Sequence, residues 1–175
     1  KPENYGKKFY GPSTFRKGIE YSRNLMTVRI AKILGLEEIL NLSKKLNIYD
    51  EIPELLSVSL GAAETTLMSL TSAYAPFVNG GKKIDPKLIT RIQDRRGKTI
   101  FNQKNRGCIG CDKFINNEEI ELPKIENNNI EKVFSEETAY QMTSILEGAV
   151  KRGTAKKLRS LKVPLAGKTG TTNDN

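Results

Sequence analysis

The sequence predicts an α+β fold, and an incomplete one. Three observations carry that expectation. Helical apolar spacing fills most of the first half, the middle reads as a short antiparallel hairpin, and a capped helix followed by an extended apolar segment closes the chain. The start, Lys1-Pro2-Glu3-Asn4, is polar and has no initiating Met, and Asn173-Asp174-Asn175 follows directly on an apolar stretch that should be entering a strand. Both ends therefore read as cuts inside a longer polypeptide.

Residues 14 to 24 follow Gly11-Pro12-Ser13 and read as a helix that Ser13 or Thr14 can cap. A second helix starts near Leu25, with Met26, Ile30, Ile33 and Leu34 near helical spacing, and Gly35 suits its end. Leu36 to Leu46 repeats the pattern through Leu36, Ile39, Leu40 and Leu46. Pro53 opens a loop region. Glu64 to Val78 is a strongly apolar helix closed by Asn79-Gly80-Gly81. Leu88 to Gln93 and Thr99 to Asn102 are short strands around the turn Asp94-Arg95-Arg96-Gly97. Residues 103 to 132, rich in Asn, Glu and Gly, are expected to form a long mobile loop or insertion. Ser135-Glu136-Glu137 starts a helix that runs to about Val150, with acids placed well in its first turn. Val163 to Thr169 is expected to be extended and buried, interrupted by Pro164 and Gly167. The domain organisation expected is one partial domain over 1–175: a mainly helical lobe over 1–81, a hairpin and polar insertion over 82–134, and a helix with a strand over 135–175.

Composition narrows the chemistry. The 175 residues suffice for one domain with a core, and 37% hydrophobic with 28% charged content is ordinary for a globular chain. No apolar run reaches the ~18 residues of a membrane span. The formal charge of +9 comes from scattered residues and short pairs such as Lys7-Lys8, Lys44-Lys45 and Lys156-Lys157, which read as a solvated basic face. A nucleic-acid module needs clustered Lys and Arg interleaved with aromatics; aromatics make up 7% and Trp is absent, so no nucleic-acid partner is expected. The chain has no His. That removes Ser-His-Asp and Cys-His machinery, so acyl transfer here needs another base, most plausibly lysine. Cys108 and Cys111 are half a zinc site, a redox pair or a local disulfide. With no His and no second Cys pair, no metal is expected; a small disulfide in an oxidising compartment is the favoured reading, with two free thiols in a loop as the alternative.

Two short elements carry the chemistry. Ser22-Arg23-Asn24 lies at the joint between two helices, and Lys168-Thr169-Gly170-Thr171 ends the extended segment, 168 − 22 = 146 positions later. Penicillin-recognising acyl-serine transferases use Ser-x-x-Lys, Ser-x-Asn and Lys-Thr-Gly. Either element alone is a weak signal; their order, separation and contexts strengthen the pair.

The wider sequence resembles class A penicillin-binding proteins, the bifunctional cell-wall synthases. The blocks that carry the resemblance are Phe9-Tyr10-Gly11-Pro12, Ser22 to Arg29, Leu60-Gly61-Ala62-Ala63-Glu64-Thr65-Thr66, Ala73-Tyr74-Ala75 and Asn79-Gly80-Gly81. Thr138 to Met142, Leu146-Glu147-Gly148, Arg152-Gly153-Thr154-Ala155 and Ala166 to Asp174 extend it. It covers nearly the whole chain and is weakest over residues 103 to 132.

The resemblance implies the serine β-lactamase/penicillin-binding transpeptidase fold, an antiparallel sheet flanked by helices plus a helical lobe. Ser22 would face Lys168 across a cleft. It implies Ser22 as a proton relay, Asn24 as a substrate-orienting amide, and Lys168 as the cation for the substrate carboxylate and the proton network. Thr169 and Thr171 would offer hydroxyls to that carboxylate, and Gly170 would leave room for the substrate backbone. The Thr171 backbone N–H would be one oxyanion donor. Glu64-Thr65-Thr66 reads as capping of the apolar helix. The departure is the nucleophile: no Ser-x-x-Lys stands in this chain, and in the family it lies upstream of Ser22. Thr14 to Lys17 and Thr154 to Lys157 have the spacing but begin with Thr, and they belong to other matched blocks. The implied function is D,D-transpeptidation of peptidoglycan stem peptides, with no cofactor. Implied partners are stem peptides, a lipid-linked precursor, β-lactams and the bacterial inner membrane, reached at its periplasmic face through an anchor outside this chain. The rival reading is a catalytically inactive relative that uses the same fold for partner binding.

Overall fold

A hydroxyl side chain starts the first helix of the chain. In the computed structural model, which describes residues 3–4, 6–49, 51–103, 107–109, 124–126 and 130–170, Thr14 accepts from the Lys17 N–H at 3.3 Å and caps α1, Phe15–Glu20. The second helix, α2, spans Asn24–Leu34. Its first turn is capped from a distance: the buried Asn4 accepts from the Leu25 N–H at 3.3 Å. Gly35, at φ +89°, makes the joint to α3, Leu36–Lys45. Glu37 and Glu38 in the first turn of α3, and Lys44 and Lys45 in its last, complement the helix dipole. A 3-10 turn over Leu56–Leu60 packs on α2.

The apolar helix, α4, covers Leu67–Val78, three residues later than the sequence suggests. Its cap is Thr66, which accepts from the Ser69 N–H at 3.1 Å, while the Thr65 hydroxyl donates to the Ile48 carbonyl. The capping reading of this block thus holds for Thr66, and Glu64 and Thr65 lie outside the helix.

The chain divides into two compact units. One comprises Ile84–Glu131. In it β1 (Arg91–Gln93) pairs antiparallel with β2 (Thr99–Asn102), Ile92 opposite Phe101. Gly97 at φ +82° and the Asp94 carboxylate, which accepts from the Arg96 and Lys98 N–H groups, form the turn. Of the stretch 103 to 132, expected to form a long mobile loop or insertion, residues 104–106, 110–123 and 127–129 lie outside the described residues. Its described part contains β3 (Gly107–Ile109) paired antiparallel with β4 (Lys124–Glu126). These three-residue strands are too short to show alternation, which is why composition read them as loop. Cys108 lies in β3 and Cys111 outside the described residues.

The other unit, Lys1–Lys83 with Lys132–Asn175, holds the core. It centres on α5, Glu136–Lys151, where Ser135 accepts from the Thr138 N–H at 3.2 Å and Glu136 and Glu137 occupy the first turn. Ala139, Ile145, Leu146, Ala149 and Val150 are the buried face of α5. The α4 helix packs on it: Thr143 donates to the Phe77 carbonyl at 2.9 Å, and Phe77 stacks on Phe134 at 5.3 Å. Gly81, at φ +79°, lets the chain pass so close that an added Cβ would lie 1.9 Å from the Phe134 oxygen. A 3-10 turn over Lys156–Leu161 follows α5. Several large apolar side chains stay exposed, Leu67 at 84% and Ile33 at 82%.

Candidate active site

The turn after α1 determines where Ser22 sits. Tyr21 ends the helix, and Ser22 adopts φ +52°, the left-handed region that costs a non-glycine residue about 1–2 kcal/mol. Two backbone bonds hold it there, Ser22 N–H to the Ile19 carbonyl at 3.1 Å and Arg23 N–H to the Gly18 carbonyl at 2.9 Å. Arg23 anchors the following residue. Its guanidinium lies 3.8 Å from the Tyr10 ring centroid and donates to the Ser13 hydroxyl at 3.1 Å. Strain held by this many contacts marks a position where side-chain direction matters.

Lys168 reaches Ser22 from the far end of the chain. Lys162 ends the preceding turn at φ +52°, and the segment from Val163 to Gly170 forms neither helix nor strand and pairs with no strand among the described residues. It is also largely exposed, with Val163 57% exposed, so the expectation of a buried strand is corrected. Extended backbone becomes a strand only beside a partner, and Pro164 removes one ladder donor. A backbone bond ties the segment to α5, Gly167 N–H to the Leu146 carbonyl at 3.2 Å.

From there the Lys168 Nζ donates to Ser22 Oγ at 2.7 Å and to the Thr169 carbonyl at 2.7 Å. Burial pushes the Lys168 pKa below the ordinary lysine value, because a half-buried ammonium loses hydration. An open depression of about 370 Å³ adjoins Lys168, lined also by Leu70, Thr71, Tyr74 and Gly167.

Thr169 Oγ1 lies 2.6 Å from Thr154 Oγ1. Among the described residues Gly170 has no other atom within 4 Å of the place a Cβ would take, and its φ lies outside the left-handed region. Neither crowding nor backbone conformation demands glycine there. Asn24 opens α2 and spends its amide on the Glu3 carbonyl at 3.0 Å, so Ser22 and Lys168 meet without it. Thr171 lies outside the described residues.

A second cluster braces this one. The Glu20 carboxylate, 3% exposed as a residue, receives both Arg152 Nε at 3.2 Å and Arg152 Nη2 at 2.5 Å. The neighbouring carboxylate raises the Arg152 pKa above its ordinary value.

A family model for the penicillin-binding protein transpeptidase domain matches residues 2–175. The chain belongs to that family. Penicillin-binding protein 1A from Rickettsia conorii is 42% identical over 175 residues, which is 100% of this chain and 22% of that protein. The chain thus spans about a fifth of the length of the curated relatives it matches. The crystal structure of penicillin-binding protein 1A from Haemophilus influenzae superposes with a TM-score of 0.78 at 25% identity, over 98% of this chain and 28% of that one. The D,D-transpeptidase domain of a peptidoglycan glycosyltransferase from Eggerthella lenta has the same fold, with a TM-score of 0.74 at 17% identity over 98% and 45% of the two chains. The α+β transpeptidase fold expected from the motifs is therefore the fold of this family member. Sequence reading assigned no role to Glu20, Arg152 or Thr154. The Arg152-Gly153-Thr154-Ala155 block carried part of the family resemblance, but only the folded chain brings it to Lys168 and Ser22.

Proposed function

We propose that this transpeptidase segment holds the proton-relay and substrate-binding half of an acyl-serine site that cross-links peptidoglycan stem peptides. The observation that carries the reading is the 2.7 Å contact between Lys168 Nζ and Ser22 Oγ across 146 positions of sequence. The attacking serine belongs to the part of the protein outside this chain. Its hydroxyl gives its proton to a base that also lies outside this chain and adds to the carbonyl of the penultimate D-alanine, the C–N bond to the terminal D-alanine breaks, and that leaving nitrogen needs a proton. Lys168 already donates toward Ser22, so Ser22 can pass its own proton to the leaving amine while taking one from the ammonium. Burial favours this direction: a lysine with a lowered pKa gives up its proton more readily. In the second half, the amine of a neighbouring stem attacks the acyl-serine and loses a proton along the same path.

Thr169 offers a hydroxyl to the substrate carboxylate, with Thr171 as the second. The open space at Gly170 suits a substrate backbone running along the segment. Asn24 serves as the substrate-orienting amide by exchanging its bond to Glu3 for one to substrate. In this reading the full protein works at the periplasmic face of the bacterial inner membrane, with stem peptides, a lipid-linked precursor and β-lactams as its ligands. Among the described residues no helix is long and apolar enough to cross a membrane.

Fluorescent penicillin labelling tests the reading. The full-length protein is expected to label on a serine outside this segment, and the isolated segment is expected not to. Covalent labelling within residues 1–175 would overturn the assignment. A full-length protein that folds and fails to label would favour the rival, a fold kept for partner binding without catalysis.

A further inference from the structure

Glu20 lies two residues before Ser22 and makes a set of contacts that the acyl-transfer reading leaves unused. Its carboxylate is buried and gripped on both oxygens by Arg152, while Arg16 Nη1 stands 3.6 Å from Oε1. Its backbone carbonyl accepts from the Thr154 N–H at 3.1 Å. The hydroxyl of that same Thr154 meets Thr169, the neighbour of Lys168. Two glycines make room for it. A Cβ at Gly148 would lie 1.9 Å from Glu20 Oε1, and one at Gly153 would lie 1.9 Å from the Glu20 carbonyl oxygen. The turn that presents Ser22 and the segment that presents Lys168 are thus fastened to one buried carboxylate residue, one through the chain and the other through Thr154.

We propose that Glu20 is a positioning residue for acyl transfer, whose clamp on Arg152 and Thr154 holds the Ser22 hydroxyl against the Lys168 amine. The physical basis is the cost of burying a charge. A carboxylate at 3% exposure becomes an uncompensated buried charge if its partners are displaced, so Glu20 holds Arg152 in place. Ser22 adds to the need, since its left-handed backbone resists small displacements only as long as its surroundings hold. A shift of about 1 Å at a positioned group can cost 100-fold in rate. Glu20 touches no reacting atom and acts only through Ser22 and Lys168.

The proposal rests on the roles given above to Ser22 and Lys168, and a double-mutant cycle separates the two. The acylation rate constant for a fluorescent penicillin is measured in the full-length protein and in Glu20→Gln, Ser22→Ala and the double variant, with the melting temperature of each. Glu20→Gln is expected to slow acylation at least tenfold in the native background and less than twofold in the Ser22→Ala background. The loss of melting temperature should be equal in both. Arg152→Lys, which keeps the charge and loses the two-pronged grip, should give a smaller fall with the same disappearance, and it carries the test if Glu20→Gln does not fold. Losses that multiply across the two backgrounds, or an unchanged rate in Glu20→Gln, would overturn the positioning role while leaving the site intact. An unchanged rate in Ser22→Ala itself would overturn the site and the inference together.

Discussion

Replacing Lys168 by alanine in the full-length protein removes the ammonium that donates at 2.7 Å both to Ser22 and to the Thr169 carbonyl. A hydrogen bond from a charged group contributes about 1.5–3 kcal/mol, and positioned proton transfer about 100- to 10,000-fold in rate. At about 1.36 kcal/mol per tenfold, the latter corresponds to roughly 2.7–5.4 kcal/mol of barrier. Acylation by a fluorescent penicillin should therefore slow at least ~100-fold. Stability should change by less than about 1 kcal/mol, because the lost ammonium was half-buried at a desolvation cost and the Ser22 hydroxyl can turn to water. The pH profile sharpens the test. The folded pKa of Lys168 lies below 10.5 through burial, so the rate should be level at lower pH and fall as pH rises through that lowered value and the donor is lost. Lys168→Arg keeps its charge throughout and should erase this limb from whatever activity it retains. Stopped-flow acylation with a thermal melt reads all three quantities. A folded Lys168→Ala protein acylating within about threefold of native, or a limb that survives Lys168→Arg, would refute the relay.

Two further substitutions separate fold from site. Gly170→Ala adds a Cβ into open space, so the melting temperature should hold or rise slightly while acylation and stem-peptide turnover fall; unchanged turnover would remove the argument that Gly170 makes room for substrate. Gly81→Ala meets the Phe134 oxygen at 1.9 Å and a positive φ, so it should destabilise by more than about 1 kcal/mol in chemical denaturation, and a neutral result would contradict the close passage of the chain there.

Much of the helical framework was legible in the sequence because caps and periodicity are local. Ser135 with two acids behind it starts α5 where expected, and Gly35 ends α2 where expected. Boundaries slipped where a cap had several claimants: Glu64, Thr65 and Thr66 all suit an N-terminus, and the helix begins only after Thr66. The second hairpin was missed because β3 and β4 are three residues each in a polar stretch. The buried strand expected at Val163 to Thr169 failed for a different reason. An apolar extended run signals a strand only if another strand lies beside it, and neighbours are not written in the run itself.

The candidate site divides in the same way. The Ser-x-Asn and Lys-Thr-Gly motifs, through the family resemblance they carry, named Ser22 and Lys168 as partners. They did not indicate Glu20, a charged residue whose burial follows only from the cavity that Gly148, Gly153 and Arg152 make around it. Nor did they indicate that Asn24 would be occupied by Glu3, or that Thr154 would stand against Thr169. By itself the sequence determined the family, the helix starts and stops and the chemical inventory of the site, all of which depend on near neighbours or on matched motifs. Only the tertiary structure decided which side chains meet. Contacts between residues 132 positions apart, as in Glu20 with Arg152, or 146 apart, as in Ser22 with Lys168, exist only after α1 and the closing segment have both packed against α5.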